Sequence, residues 1–209
     1  LVFLVLLLGA GIYLVFALRD TSDIQYPTSR SDYYVAPEIS PQTRDDFSIL
    51  FFSQDDPVAK ALEAIKLPVT SRSGDQADEP FTEEELAAIE SAWESYAPVE
   101  PTFERLLANP PYPLFYEQYT TPVPSLNRFR NLCFIHILKA RMLLDEGEDP
   151  RPLLNRAITF IDQYYRSSSS TIDFMVTQVG YRFLLSNFSD DYLAQLPEAR
   201  ETLQFWKST

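Results

Sequence analysis

Apolar positions along this chain fall into three kinds of run. Residues 1–18, LVFLVLLLGAGIYLVFAL, form the first kind, with no charged or strongly polar side chain among them. At 1.5 Å per residue they make roughly 27 Å of helix, close to the hydrocarbon thickness of a bilayer, and predict a single transmembrane anchor. The second kind recurs at helical spacing. Val58, Ala61, Leu62 and Ile65 mark a short helix over residues 57–66, and Leu86, Ile89, Ala92, Trp93 and Tyr96 another from 82 to about 95. Phe103, Leu106 and Leu107 do the same for 98–108. The third kind has no period and is rich in proline: residues 19–46 read as an extended stalk, and 97–124 as a proline and aromatic strap.

The last third carries the strongest helical pattern. Ser125 is placed to cap a helix running to about Glu146, where Gly147 supplies the stop. Its centre, LCFIHIL, is apolar nearly all round, as in an enclosed central helix. Asp149-Pro150 begins a second helix, with Leu153, Leu154, Ala157, Ile158, Ile161, Tyr164 and Tyr165 on one side, and Ser167 to Ser170 break it. Thr171 opens a third, striped by Ile172, Met175, Val176, Val179, Gly180, Phe183 and Leu184; residues 197–206 suggest a final one. FSILFF at 47–52 fits strand or helix, and helix is favoured by the acids Asp45 and Asp46 ahead of it. Thr82-Glu83-Glu84-Glu85 fits a capping box. The expected fold class is all-α: one N-terminal transmembrane helix (1–18), a stalk (19–46), and an irregular multi-helix domain (47–209) that includes the strap.

Charge narrows the partners. The net −13 of this 209-residue chain is concentrated: residues 73–104 hold ten acids and no base, whereas 105–209 hold eleven of each. That field repels nucleic acid and anionic headgroups and attracts basic proteins or cations, so nucleic-acid binding is excluded and a basic soluble protein is a candidate partner. Glu83, Glu84, Glu90 and Glu94 are the candidate docking residues, against the simpler reading of a solvated helix face. In the strap, Tyr112, Phe115, Tyr116 and Tyr119 either pack onto the domain itself or are offered to a neighbour. In the anchor, Gly9, Ala10 and Gly11 form a small-residue patch through which a helix of an integral membrane partner could approach. Arg19 and Arg30 are outnumbered near the bilayer by Asp20, Asp23 and Asp32, which favours a periplasmic domain on a single-pass span. A short flank preceding Leu1 is expected. Val15-Phe16-Ala17 also has the spacing of a signal-peptide cleavage site, which leaves a cleaved leader as the alternative.

Chemistry-bearing residues are few. Cys133 and His136 are the only cysteine and histidine, which removes thiolate metal cages, Ser-His-Asp triads and Cys-His dyads within the chain. His136 reads as a structural core residue, with haem or chlorin ligation as the lesser alternative. Asp145, Glu146, Glu148 and Asp149 crowd Gly147 without EF-hand spacing. Glu83–Glu85 with Glu90 lack the burial that a catalytic carboxylate pair needs. No enzyme activity, metal or cofactor is expected.

Two resemblances add to this. Ala140, Gly147 and Ala157 fall near the small-residue, turn and return positions of a tetratricopeptide unit. The turn is one residue longer than in that family, and no second copy follows at a period of about 34 residues. More broadly, the segment PSLNRFRNLCFIHILKARMLLDEGEDPRPLLNRAITFI, with the span, acidic middle and proline-aromatic stretch before it, resembles uncharacterised membrane-anchored helical proteins of planctomycetes and related bacteria. Ser167 to Ser170 stand where that group has glycines. The resemblance implies fold and topology and no activity. Together these features point to a non-catalytic accessory or scaffold subunit of a membrane complex, such as a respiratory or photosynthetic one. The alternative is a membrane-tethered helical module that binds peptides or envelope components.

Overall fold

A computed structural model describes residues 38–68, 79–112, 125–167 and 171–193. The chain divides into two compact units, Leu1–Glu38 and Ile39–Thr209, and the helices discussed here belong to the second. The elements are α1 (Pro41–Phe51), α2 (Pro57–Ala64), α3 (Glu83–Tyr96), α4 (Glu100–Ala108), α5 (Leu126–Asp145), α6 (Arg151–Ser167), α7 (Thr171–Asn187) and the single turn α8 (Asp190–Leu193). The domain is all-α, with no strand among the described residues. No helix among them is long and apolar enough to cross a membrane. The expected anchor, with Gly9, Ala10 and Gly11, lies outside the described residues, as do Phe115, Tyr116 and Tyr119.

Local chemistry sets most helix starts. Ser40 Oγ accepts from the Thr43 N–H at 3.0 Å, and Pro41 occupies the first turn, where a missing N–H is harmless. Helix α1 therefore takes in the last six residues of the expected stalk; Pro41 starts a helix there and does not extend a linker. Asp56 caps α2 through the Val58 N–H at 2.8 Å, with Pro57 following. The capping box of α3 is present in both directions: Glu85 N–H donates to Thr82 Oγ1 at 3.3 Å, and Thr82 N–H to Glu85 Oε2 at 2.8 Å. Ser125 stands at the N-cap of α5 but makes no side-chain cap; its N–H instead donates to the Phe51 carbonyl of α1 at 3.0 Å. Gly147 takes φ +77° in the α5–α6 turn, a conformation that an L side chain rarely adopts.

Helix α2 stops at Ala64, before the expected Lys66. Ile65 turns extended, and Asn131 Nδ2 from α5 donates to the Leu62 carbonyl at 2.9 Å, satisfying a C-terminal acceptor that more helix would have taken. Helix α4 likewise begins at Glu100, two residues after the expected start, because Tyr96 to Val99 form a tight turn closed by the Val99 N–H on the Tyr96 carbonyl.

Helix α5 is the axis of the domain. Twelve of its 20 residues are buried, and α1, α2, α3, α6 and α7 all pack on it. Helix α6 lies against α5, α7 and α4, and α4 also against α1. Phe160 of α6 is the meeting point, with ring contacts to Phe51, Phe103, Tyr112, Phe129 and Tyr164 at centroid distances of 5.2 to 6.1 Å. A smaller cluster of Phe81, Ile89, Leu138 and Met142 joins α3 to the far end of α5. Helix α7 departs from the predicted stripe. Val176, Gly180, Tyr181 and Leu184 are buried, while Met175 and Val179 are exposed. The rotation follows from close packing at Gly180, where an added Cβ would lie 3.1 Å from Ile161 Cδ1 and 3.6 Å from the Phe129 ring.

Candidate functional site

The candidate docking glutamates all lie on α3. Its buried face is Ile89, Ala92 and Tyr96, set by the apolar spacing, and at about 100° per residue this turns Glu83, Glu84 and Glu94 to the opposite side. All three are exposed and make no hydrogen bond or ion pair among the described residues. Glu83 and Glu84 also occupy the first turn, where the helix dipole favours a negative charge. Glu90 differs. It sits at the edge of the buried face, 2.6 Å from Lys139 Nζ of α5, and so is engaged within the domain. Glu85 belongs to the capping box.

Much of the acidic segment has the same internal use as Glu90. Arg156 of α6 reaches Glu100 at 3.1 Å and Glu104 at 3.0 Å, tying α4 to the long helices. Two further pairs repeat this outside the segment. Arg128 of α5 holds Glu63 of α2 at 2.7 Å, and Arg105 of α4 holds the buried Asp46 of α1 through two nitrogens, at 2.8 and 3.2 Å. Short N-terminal helices thus offer acids to bases on the helices that cover them. Sequence spacing carried no sign of this pairing, because the partners lie 49 to 65 residues apart. Only the charge asymmetry between segments hinted at it.

Tyr112 is not available to a neighbour. It is fully buried, its N–H donates to Ser167 Oγ at 2.9 Å, and its ring packs on Phe47 and Phe160. Of its two expected places, on the domain itself or offered to a neighbour, the strap's first aromatic takes the first.

His136 and Cys133 are both sealed inside. Burial pushes the Cys133 thiol well up, which keeps it protonated. The His136 ring lies among Trp93 and Tyr96 of α3 and Phe103 of α4, at 5.6, 4.9 and 5.0 Å. Its Nδ1 is 2.8 Å from the Leu132 carbonyl oxygen. Burial, opposed by that hydrogen bond and reinforced by the charge of Arg156, lowers its pKa to about 4. Of the acids around Gly147, Asp145 pairs with Arg141 at 2.8 Å and Asp149 with Arg151 at 2.7 Å. The Arg151 hydrogen bonds lower the Asp149 pKa. Among the described residues, no group of three or more His, Cys, Asp or Glu side chains is placed to hold a metal ion.

Three exposed apolar side chains escaped the sequence reading. Leu126 at the start of α5 and Met175 and Val179 on α7 are large apolar side chains left about half exposed or more. Met175 and Val179 looked like core residues because helical spacing alone cannot tell which of two adjoining faces a neighbour will cover. Comparison with protein-family models, with curated proteins and with solved structures yields no match.

Proposed function

We propose that this chain is a non-catalytic accessory or scaffold subunit of a membrane protein complex, tethered by residues 1–18 and presenting its helical domain in the periplasm. The observation that carries the reading is the outer face of α3. Glu83, Glu84 and Glu94 stand there without internal partners, while the other acids of the same helix are engaged within the domain. A face of one sign that the fold does not neutralise is suited to steering a basic protein toward the complex, an effect that salt weakens. The burial of Cys133 and His136 supports a binding role over a catalytic one, since the chain's one thiol and one imidazole are withdrawn from solvent. The alternative, a peptide-capturing module, loses Tyr112 from its proposed aromatic groove.

The test is native purification of the full chain in mild detergent, at low and at high salt. A stable assembly with integral membrane subunits is expected at both. A basic component should leave at high salt, and should also leave when Glu83, Glu84 and Glu94 are all changed to Lys. A chain that runs monodisperse and by itself at both salt concentrations overturns the proposal.

A further inference from the structure

His136 lies where α3 and α4 close over α5. A carbonyl oxygen only accepts, so the 2.8 Å contact with Leu132 makes Nδ1 the protonated donor and leaves Nε2 as an acceptor. That Nε2 is buried with no hydrogen-bond partner, and so is the hydroxyl of Tyr96, whose ring stands nearly perpendicular to the imidazole. Of the charged groups on the surrounding helices, Glu83, Glu84 and Glu94 of α3 are exposed on its outer face, and others are committed elsewhere. Glu90 of α3 pairs with Lys139 of α5, Glu100 and Glu104 of α4 pair with Arg156 of α6, and the buried thiol of Cys133 sits one turn back on α5. No carboxylate hydrogen-bonds the ring among the described residues.

We propose that His136 and the corner formed by Trp93, Tyr96 and Phe103 are an acid-operated latch: protonation of Nε2 drives the α3–α4 corner off α5 and opens the aromatic pocket, while α5–α7 stay folded. A proton on Nε2 creates a second donor and a full charge in a fully buried site where no described protein group accepts from it. Contacts with the ring edges and faces of Trp93 and Tyr96 return far less than the hydration lost. The lowered pKa of the closed form is the same penalty seen from the proton's side. Tyr96 and Phe103 share the main core with Phe160, but release is local because α5, α6 and α7 pack on one another more extensively than α3 and α4 pack on them. This inference does not depend on the role proposed above.

Two reporters make it testable. His136 is the only histidine, so its ring gives a single resonance by NMR, and Trp206→Phe leaves Trp93 as the only tryptophan. In the full chain with that change, quenching of Trp93 by acrylamide should rise about threefold between about pH 7 and about pH 4.5, in step with the His136 resonance. Helical circular dichroism should be largely kept. His136→Leu should abolish the rise over the same range. The same rise in His136→Leu overturns the latch, and so does loss of most helical signal together with the Trp93 change. Should His136→Leu not fold, the NMR titration decides by itself: a His136 resonance titrating at its ordinary pH while Trp93 stays protected also overturns it.

Discussion

Helices α1–α4 and helices α5–α7 bury their apolar faces by different means. The first four run 11, 8, 14 and 9 residues, the other three 20, 17 and 17. Pieces shorter than about 12–15 residues are marginal helices without tertiary support, so the N-terminal set needs something to hold it in place. Beside the hydrophobic core that it shares with the long helices, a series of ion pairs at its margins does so: Asp46 to Arg105, Glu63 to Arg128, Glu90 to Lys139, and Glu100 and Glu104 to Arg156. The long helices are joined mainly by packing, with α6 approaching α7 across Gly180 and Phe134 stacked on Phe183 at 3.5 Å. The difference teaches that the charge imbalance of this chain is partly architectural. Acids of the middle segment meet bases of the last third, and only what remains is available to a partner.

Breaking the point where the two sets meet should have the largest effect. Phe160→Ala removes ring contacts to α1, α4 and α5 at once and should destabilise the domain by about 4 kcal/mol in urea unfolding.

Acid comes next. The folded pKa of His136, about 4, lies below the ordinary 6.5, so on acidification the unfolded chain takes up the proton first. Its contribution is complete above about pH 6.5 and falls as pH drops toward about 4; with the corner closed throughout, the whole loss is about 3 kcal/mol, and opening of the corner makes it smaller. The difference between wild type and His136→Leu, measured by denaturant titration at several pH values, isolates this from the carboxylates.

Asp46→Ala sharpens the comparison within the N-terminal set. It removes a buried carboxylate that binds Arg105 and Gln42, but Arg105 is half exposed and can return to water, so about 2 kcal/mol should be lost. The smallest effect belongs to the free face: Glu83, Glu84 and Glu94 changed together to Gln should alter thermal stability by no more than about 0.5 kcal/mol. A large loss there would show those charges to be structural and would remove the basis for docking.

Much of the fold could be read along the chain because its signals are local. The Thr82–Glu85 capping box, the Gly147 stop, the enclosed LCFIHIL helix and the Asp149-Pro150 start each depend on residues within one or two turns. The differences have two causes. Pro41 was placed in a stalk although the Ser40 cap that starts α1 is local, whereas Met175 and Val179 were placed in a core because the deciding contact, Ile161 against Gly180, is distant in sequence. Of the candidate site, the position of Glu83, Glu84 and Glu94 on one outer face followed from helical period. The withdrawal of Glu90 into an ion pair did not.

Helix type, helix ends and the inventory of reactive side chains were thus determined by the amino-acid order, since caps, periodicity and composition act over a few residues. Which carboxylate meets which guanidinium, which side of α7 faces water, and how His136 comes to lie in an aromatic cage were decided only when helices packed. Those outcomes depend on long-range geometry, and a linear pattern of polar and apolar residues leaves several such arrangements equally consistent with it.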